Sequence, residues 1–437
     1  MGRRLYPFPL FLIALCLAAA VQLKAQNTLS REDRGTDLLM LKDAKETLQK
    51  YYYDPQFHGL DIEALYSKYE QKVQASQSNH DAFAWIAAFV DSLKDSHTRF
   101  IPPRRAAQVD YGFTLQMVGD KCYVTHTRPG SDAAVKLHVG DQVVQRDGVA
   151  VSRGDFPEML YFFDALAPVT ASKFDLIDTS GISRSVQVDS KVTMEGNTVL
   201  LNSATVFNLI RQMDQDYDDS KDEFVERGDV FIWKMHEFAD DPFDVDAMFS
   251  RIRKHKTFIL DLRGNPGGSV ETLQNVLGFL LDHDTKIEDQ TGRKKLKPVI
   301  VKSRGSYTFS GKLIVLIDSD SASAAEAVAR VVQLESRGTV IGDRSSGQVM
   351  EAEFYDGSLA GAGIGYGFEV TVADLIMKDG RSIEHVGVTP DETVLPTAQD
   401  LASGRDPVLA HAAQLAGWDL TPEDAGKLFP YKWLPIE

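Results

Sequence analysis

Apolar side chains recur at helical spacing between residues 36 and 94, in "TDLLMLKDAKETLQKYYY", "DIEALYSKYEQKVQ" and "DAFAWIAAFVDSLK", and aspartates near their starts mark the expected helix origins. "IPPRR" after Phe100 stops the pattern. From about Asp110 the period shortens to that of strands. "YGFTLQMV", "KCYVTHT", "DQVVQRDGVAV" and "KFDLIDT" are separated by Gly, Asp and Pro turns, with one short helix in "GSDAAVKLHVGD". Residues 193–230 are ambiguous, and "NLIRQMDQDYDDSKDEF" within them reads as a helical, solvated insert.

Beyond Asp229 strands and helices alternate. "DVFIWKM", "TFILDL", "KLIVLID" and "GTVIGD" are strands, the middle two apolar on both faces; "DVDAMFSRIRKH", "SVETLQNVLGFLLD" and "SASAAEAVARVVQ" are helices. That order predicts βαβ units around a parallel sheet. The expected divisions are 1–25 as a leader, 26–103 as a helical domain, 104–192 as a β-rich module, 193–400 as an α/β core and 401–437 as a helical extension.

The leader reading rests on "MGRRLYPFPLFLIALCLAAAVQLKAQ", two arginines before an apolar run and a small residue at Ala25. The run is short against the ~20 residues of a bilayer span. Leu15 before Cys16 argues against a lipid anchor there. Export to a periplasm or the extracellular space is expected, with no stable membrane insertion after cleavage. Losing Arg3, Arg4 and Lys24 with that leader takes the formal net charge from −16 to −19. Such acidity disfavours nucleic acid and anionic membranes as partners. Cys122 is then the only cysteine, which excludes a disulfide within the mature chain.

Three serines crowd "SDSASAAEAV". Ser323 followed by Glu326 makes a capping box. The same place, just after a buried parallel strand and at a helix start, also suits a nucleophile, with the Ala324 N–H facing an oxyanion. No G-x-S-x-G elbow is present. In "DLRGNPGGSV" the glycines form a tight turn or bring the amides of Gly267 or Gly268 to an oxyanion, and no Gly-Lys-Ser/Thr marks a phosphate loop. His97 in "LKDSHTRF" is a candidate base, and His385 beside Glu384 is its rival. Cys122 and His126 would sit ~13 Å apart on one strand, too far to act as a pair. No metal-ligand spacing occurs, and no cofactor is expected.

These pieces, in this order, resemble the C-terminal-processing (tail-specific) serine peptidases and their tricorn-core relatives. The resemblance is carried by "LKDSHTRF", "YGF", "RPGSDAAVKLHVGDQVVQRDGVAV", "FILDLRGNPGGSV", "VLIDSDSASAAEAV" and "SIEHVGVTPD". It implies a crotonase/ClpP-like α/β catalytic core with an inserted PDZ-like module, a fold the periodicity alone does not name. It places the nucleophile at Ser323. One branch of the family puts a lysine base where this chain has Gln348, which has no basicity. The tricorn-like branch pairs a Ser-His with a Glu, and Ser96, His97 and Glu384 match it. His385 is set aside as lying at a strand end. The PDZ-like likeness implies peptide capture by Tyr111, Gly112 and Phe113, with scaffolding or gating of the active site as the alternative role of the module. The expected activity is hydrolysis of peptide bonds in protein or peptide substrates. A catalytically silent peptide- or ligand-binding relative is the alternative that Gln348 raises, and esterase chemistry is a weaker one.

Overall fold

The computed structural model describes residues 29–103, 107–194, 223–359 and 364–433. The leader, and residues 195–222 of the expected insert, lie outside them.

Three helices open the described chain: α1 (Arg31–Tyr51), α2 (Ile62–Ala75) and α3 (Asn79–Asp91). Asp61 caps α2 by accepting from Glu63 N and Ala64 N. The other two starts correct the sequence reading. Ser30 and Ser78 are the caps, accepting from Asp33 N and Asp81 N; Asp81 sits in the first turn of α3, where a carboxylate favours the positive helix end, while Asp37, the expected start of the first helix, is buried well inside α1.

The chain then forms β1 (Arg99–Ile101) and enters a module through β2 (Ala107–Asp110). The module comprises β3 (Phe113–Val118), β4 (Lys121–Thr127), the short helix α4 (Asp132–Lys136), β5 (Gln142–Arg146) and β6 (Val149–Ala150). It continues with α5 (Phe156–Tyr161), a wide turn at Phe162–Leu166, β7 (Ala171–Ile177) and β8 (Ser183–Asp189). These strands make an antiparallel sheet in the order β3-β4-β5-β7-β8, with β6 on β5. The chain leaves by β9 (Lys191–Met194), which pairs with β2, so entry and exit share one ribbon.

The central layer follows: β10 (Glu223–Arg227), β11 (Val230–Lys234), α6 (Pro242–Ile252), β12 (Thr257–Asp261) and α7 (Val270–Leu280). β13 (Thr285–Gly292) and β14 (Val299–Val301) depart to another sheet before β15 (Lys312–Ile317), α8 (Ala324–Leu334) and β16 (Thr339–Gly342) return. A hairpin of β17 (Met350–Leu359) and β18 (Ile364–Met377) comes next. β19 (Glu392–Thr393), α9 (Ala398–Ala402), α10 (Pro407–Leu415) and α11 (Pro422–Ala425) complete the elements.

The central sheet runs β10-β11-β12-β15-β16-β19 and is parallel except for β10. Glu223 and Phe224, read from sequence as the end of a helix, belong to that antiparallel edge strand. Along β12 and β15 alternate side chains feed two cores. Phe258, Leu260, Leu313 and Val315 pack under α6, α7 and α8, while Ile259, Ile314 and Leu316 face α10 and α11. β18 pairs with β1, β13 and β17, which joins the opening helical region to the far end of the chain.

Candidate active site

Ser323 stands between β15 and α8 at φ 51°, ψ −115°. The serine caps Ser30, Ser78, Ser131 and Ser269 are extended, with negative φ and ψ between 130° and 161°. A positive φ at a non-glycine residue is a strained conformation that surrounding bonds must hold. Ser323 N donates to Gln348 O (2.9 Å) and to Glu326 Oε2 (3.2 Å). The Glu326 arm of the expected capping box is therefore present, and it does more than cap. The same carboxylate accepts from Gly347 N (2.8 Å), Gln348 N (2.9 Å) and Ser345 Oγ. Burial pushes the Glu326 carboxyl up to about 7 against those bonds. The turn is as sharp as a nucleophile elbow without its G-x-S-x-G sequence.

The glycine loop packs directly on this turn. Gly267 has φ +105°, and a Cβ there would lie 2.6 Å from Ser323 Cβ and 3.0 Å from Ala324 N. Only glycine allows that approach. Gly267 N donates to Asn265 Oδ1 (2.8 Å), whose amide is anchored on Met235 O (2.9 Å). Gly268 N and Ala324 N meet no acceptor among the described residues, so of the three candidate amides these two remain available. Arg263, just before the loop, pairs with buried Asp261 (2.7 and 2.9 Å) and with Asp406 (2.8 and 2.9 Å) at the start of α10.

His97 and Glu384 arrive from opposite ends of the chain. Ser96 Oγ lies 2.7 Å from His97 Nδ1 and donates to Glu384 Oε2 (3.0 Å). Glu384 also accepts Ser96 N and Val349 N, both at 2.8 Å. A hydroxyl that donates to the carboxylate offers a lone pair to Nδ1, so Nδ1 carries the proton and Nε2 is left basic. Burial first, and Arg99 second, lower the His97 pKa to about 3, keeping the ring neutral near pH 7. Burial raises Glu384 above its ordinary range, opposed by the bonds from Val349 and Ser96. Asp95 Oδ1 fixes the loop by accepting His97 N (3.1 Å), Thr98 N (2.7 Å) and Thr371 Oγ1 (2.6 Å).

Ser323 and Glu384 meet through adjacent backbone positions: Gln348 O takes the serine N–H, and Val349 N reaches the carboxylate. No hydrogen bond joins Ser323 Oγ to His97 Nε2 in this resting arrangement. A cavity of about 410 Å³ opens beside the relay, with Ser96, Gln348 and His385 in its wall and Ala87, Phe162 and Leu166 supplying apolar surface. His385 corrects the sequence reading: it is not at a strand end but in a turn beside Glu384. Its Nε2 lies 2.8 Å from Lys94 O and 3.4 Å from Glu384 Oε1.

The Tyr111–Phe113 loop faces inward. Tyr111 Oη donates to Phe163 O (2.7 Å), Phe113 meets Phe174 edge-on, and the buried Arg146 guanidinium stacks on Tyr111 and Phe163. Gly112 N already donates to Asp110 Oδ1 (2.9 Å), a bond that a captured carboxylate would have to displace. Cys122 is buried in the same module, and His126 Nδ1 is engaged with Thr114 Oγ1 (2.9 Å). No cluster with metal-ligand character exists among the described residues.

Residues 229–394 match the model for peptidase family S41, and residues 39–89 match the tricorn protease C1 domain. The chain is 30% identical over 193 residues to a carboxy-terminal-processing protease of Bartonella bacilliformis, covering 42% of this chain and 43% of that one. It is 21% identical over 411 residues to the carboxyl-terminal-processing protease of Synechocystis sp., covering 90% and 89%. Among solved structures, mature CPAF complexed with lactacystin shares the fold at TM-score 0.63 and 16% identity, over 84% of this chain and 95% of that one. The photosystem II D1 C-terminal processing protease does so at TM-score 0.51 and 19% identity, over 90% and 100%. The chain carries a peptidase family S41 domain, a serine-type hydrolase domain, over residues 229–394, with a segment matching the tricorn C1 domain ahead of it, and it is similar to carboxyl-terminal-processing proteases.

Proposed function

We propose that this is an exported endopeptidase of the Ser-His-Glu type, cleaving protein or peptide substrates without a lysine base. The observation that carries this reading is the Glu384–Ser96–His97 relay, which leaves a neutral imidazole with a basic Nε2. Ser323 Oγ attacks the scissile carbonyl carbon as His97 Nε2 takes its proton. The oxyanion is held by the N–H groups of Gly268 and Ala324, while Gly267 N stays with Asn265 and shapes the loop. The imidazolium is stabilised through Ser96 by Glu384, and its Nε2 proton passes to the leaving amine as the C–N bond breaks. Water, deprotonated by His97, then hydrolyses the acyl-enzyme. Ser323 and His97 come within bonding reach when substrate fills the site, since catalytic hydrogen bonds are commonly long in the unliganded state. Gln348 serves through its main chain, holding the Ser323 backbone.

Peptide and ester hydrolysis, measured side by side, test the assignment. Ser323→Ala and His97→Ala should each lower kcat by ~10⁴-fold or more, and Glu384→Gln by ~10³–10⁴-fold. Retention of peptide hydrolysis by Ser323→Ala would refute it. A wild-type chain that binds peptides and cleaves none would favour the silent relative. A chain that cleaves esters alone would favour esterase chemistry.

A further inference from the structure

One side chain of the six-stranded module reaches the nucleophile turn. Gln116 on β3 sends its amide Nε2 to Asp318 Oδ2 (2.8 Å) and to Asp320 Oδ2 (2.9 Å). An NH2 group has two donors, and both are spent on this pair. Asp318 Oδ1 accepts from Gly264 N (2.9 Å), Asp320 N (3.1 Å) and Ser321 N (3.1 Å). Ser321 Oγ donates to Leu262 O (2.8 Å), and Ala322 N donates to Asn265 O (2.9 Å). One carboxylate thus ties the segment that begins the glycine loop to the segment that ends in Ser323. β3 makes a second contact, with Ser319 Oγ donating to Met117 O (2.6 Å).

We propose that Gln116 is a positioning residue for peptide hydrolysis: acting through Asp318, it sets the spacing between the glycine loop and the Ser323 turn. This rests on the reading of Ser323 as nucleophile. Two half-buried carboxylates side by side repel each other, and the shared amide is what holds them in place. Burial first and the neighbouring Asp318 second push the Asp320 carboxyl up to about 7, as expected for acids packed this closely. The other charged or titratable groups acting on the clasp are Arg153, paired with Asp343 at 2.9 Å, and the buried thiol Cys122. None of these touches the relay of His97 and Glu384, so Gln116 influences the oxyanion and nucleophile side of the site alone.

The test is steady-state hydrolysis of a short chromogenic peptide by the full chain. Gln116→Ala should lower kcat by ~10–100-fold while KM changes less than ~3-fold, because misplacement by about 1 Å is costly to the chemical step. Gln116→Glu keeps the length of the side chain but has no donor while ionised. Its activity relative to wild type should rise ~10-fold as pH falls from about 8 to about 5, as its carboxyl gains a proton it can donate. Wild-type hydrolysis that survives Ser323→Ala defeats the reading of the site. Hydrolysis that vanishes there, with Gln116→Ala retaining kcat within ~2-fold, defeats the proposal alone. If Gln116→Ala does not fold, the isosteric Gln116→Glu decides: a loss equal at every pH overturns positioning.

Discussion

Ser323 holds a backbone conformation that a glycine would adopt freely, and the bonds from its N–H to Gln348 and Glu326 keep it there. Such strain costs ~1–3 kcal/mol at a single residue. Ser323→Gly should therefore be more stable than Ser323→Ala by ~1 kcal/mol, read as a higher denaturant midpoint, with both variants inactive. An alanine variant of equal or greater stability would show that the turn is relaxed. The pH profile tests His97. Burial lowers its pKa to about 3, so as the proposed base its ring stays neutral down to about that pH. With His97 as the proposed base, an acid limb of kcat/KM set by the imidazole should lie well below the ~6.5 of a free imidazole. A limb at or above that value contradicts the assigned burial of His97.

At the scale of elements, the glycine loop depends on a buried ion-pair network that ends in another part of the chain. Arg263 bridges Asp261 at the end of β12 and Asp406 at the start of α10, and Lys234 lies 3.6 Å from Asp261. Arg263→Met leaves fully buried Asp261 with Lys234 as its remaining cation. The expected cost is ~3–5 kcal/mol in urea unfolding. A change under ~1 kcal/mol would mean that the pairs stabilise little. The strands around this loop were legible because β12 and β15 are unbroken apolar runs, buried on both faces. β10 was not, since Glu223, Glu226 and Arg227 mix polar positions into an edge strand, and "DSKDEF" before it has helical composition. β17 and β18 also escaped: Tyr366, Phe368 and Val370 do alternate along β18, but Gly365 and Gly367 stand among them and glycine is depleted in strands, so the run does not read as one. The cap of α3 was misplaced because Ser and Asp both suit a helix start, and α1 begins earlier than read because residues 31–35 are polar or glycine and carry no apolar period.

Across the whole molecule, the site joins Asp95–His97, the turn at Ser323 and the stretch 345–349 to Glu384, with β1–β18 pairing carrying the first of these to the last. Ser96, His97 and Glu384 were candidates in advance because their residue types and order resemble a family, and the fold brings the three within hydrogen-bond reach. The supports could not. Asp95, Asn265, Asp318 and Gln116 look like ordinary loop and strand polar residues until the fold shows what they accept or donate. The far face of the central sheet is covered by the end of the chain, with Leu409, Ala412, Ala413 and Leu420 on Ile259, Ile314 and Leu316. A chain ending at Ser403 would expose that face and should be recovered as aggregate, whereas a soluble monomer with the wild-type melting temperature would contradict this packing. The account as a whole is tested most directly by mapping the adduct of a fluorophosphonate with peptide mass spectrometry. It predicts a single adduct on Ser323, absent in Ser323→Ala and formed ~10³-fold more slowly or worse in His97→Ala. An adduct on another residue, or labelling of Ser323 at an unchanged rate without His97, would contradict it.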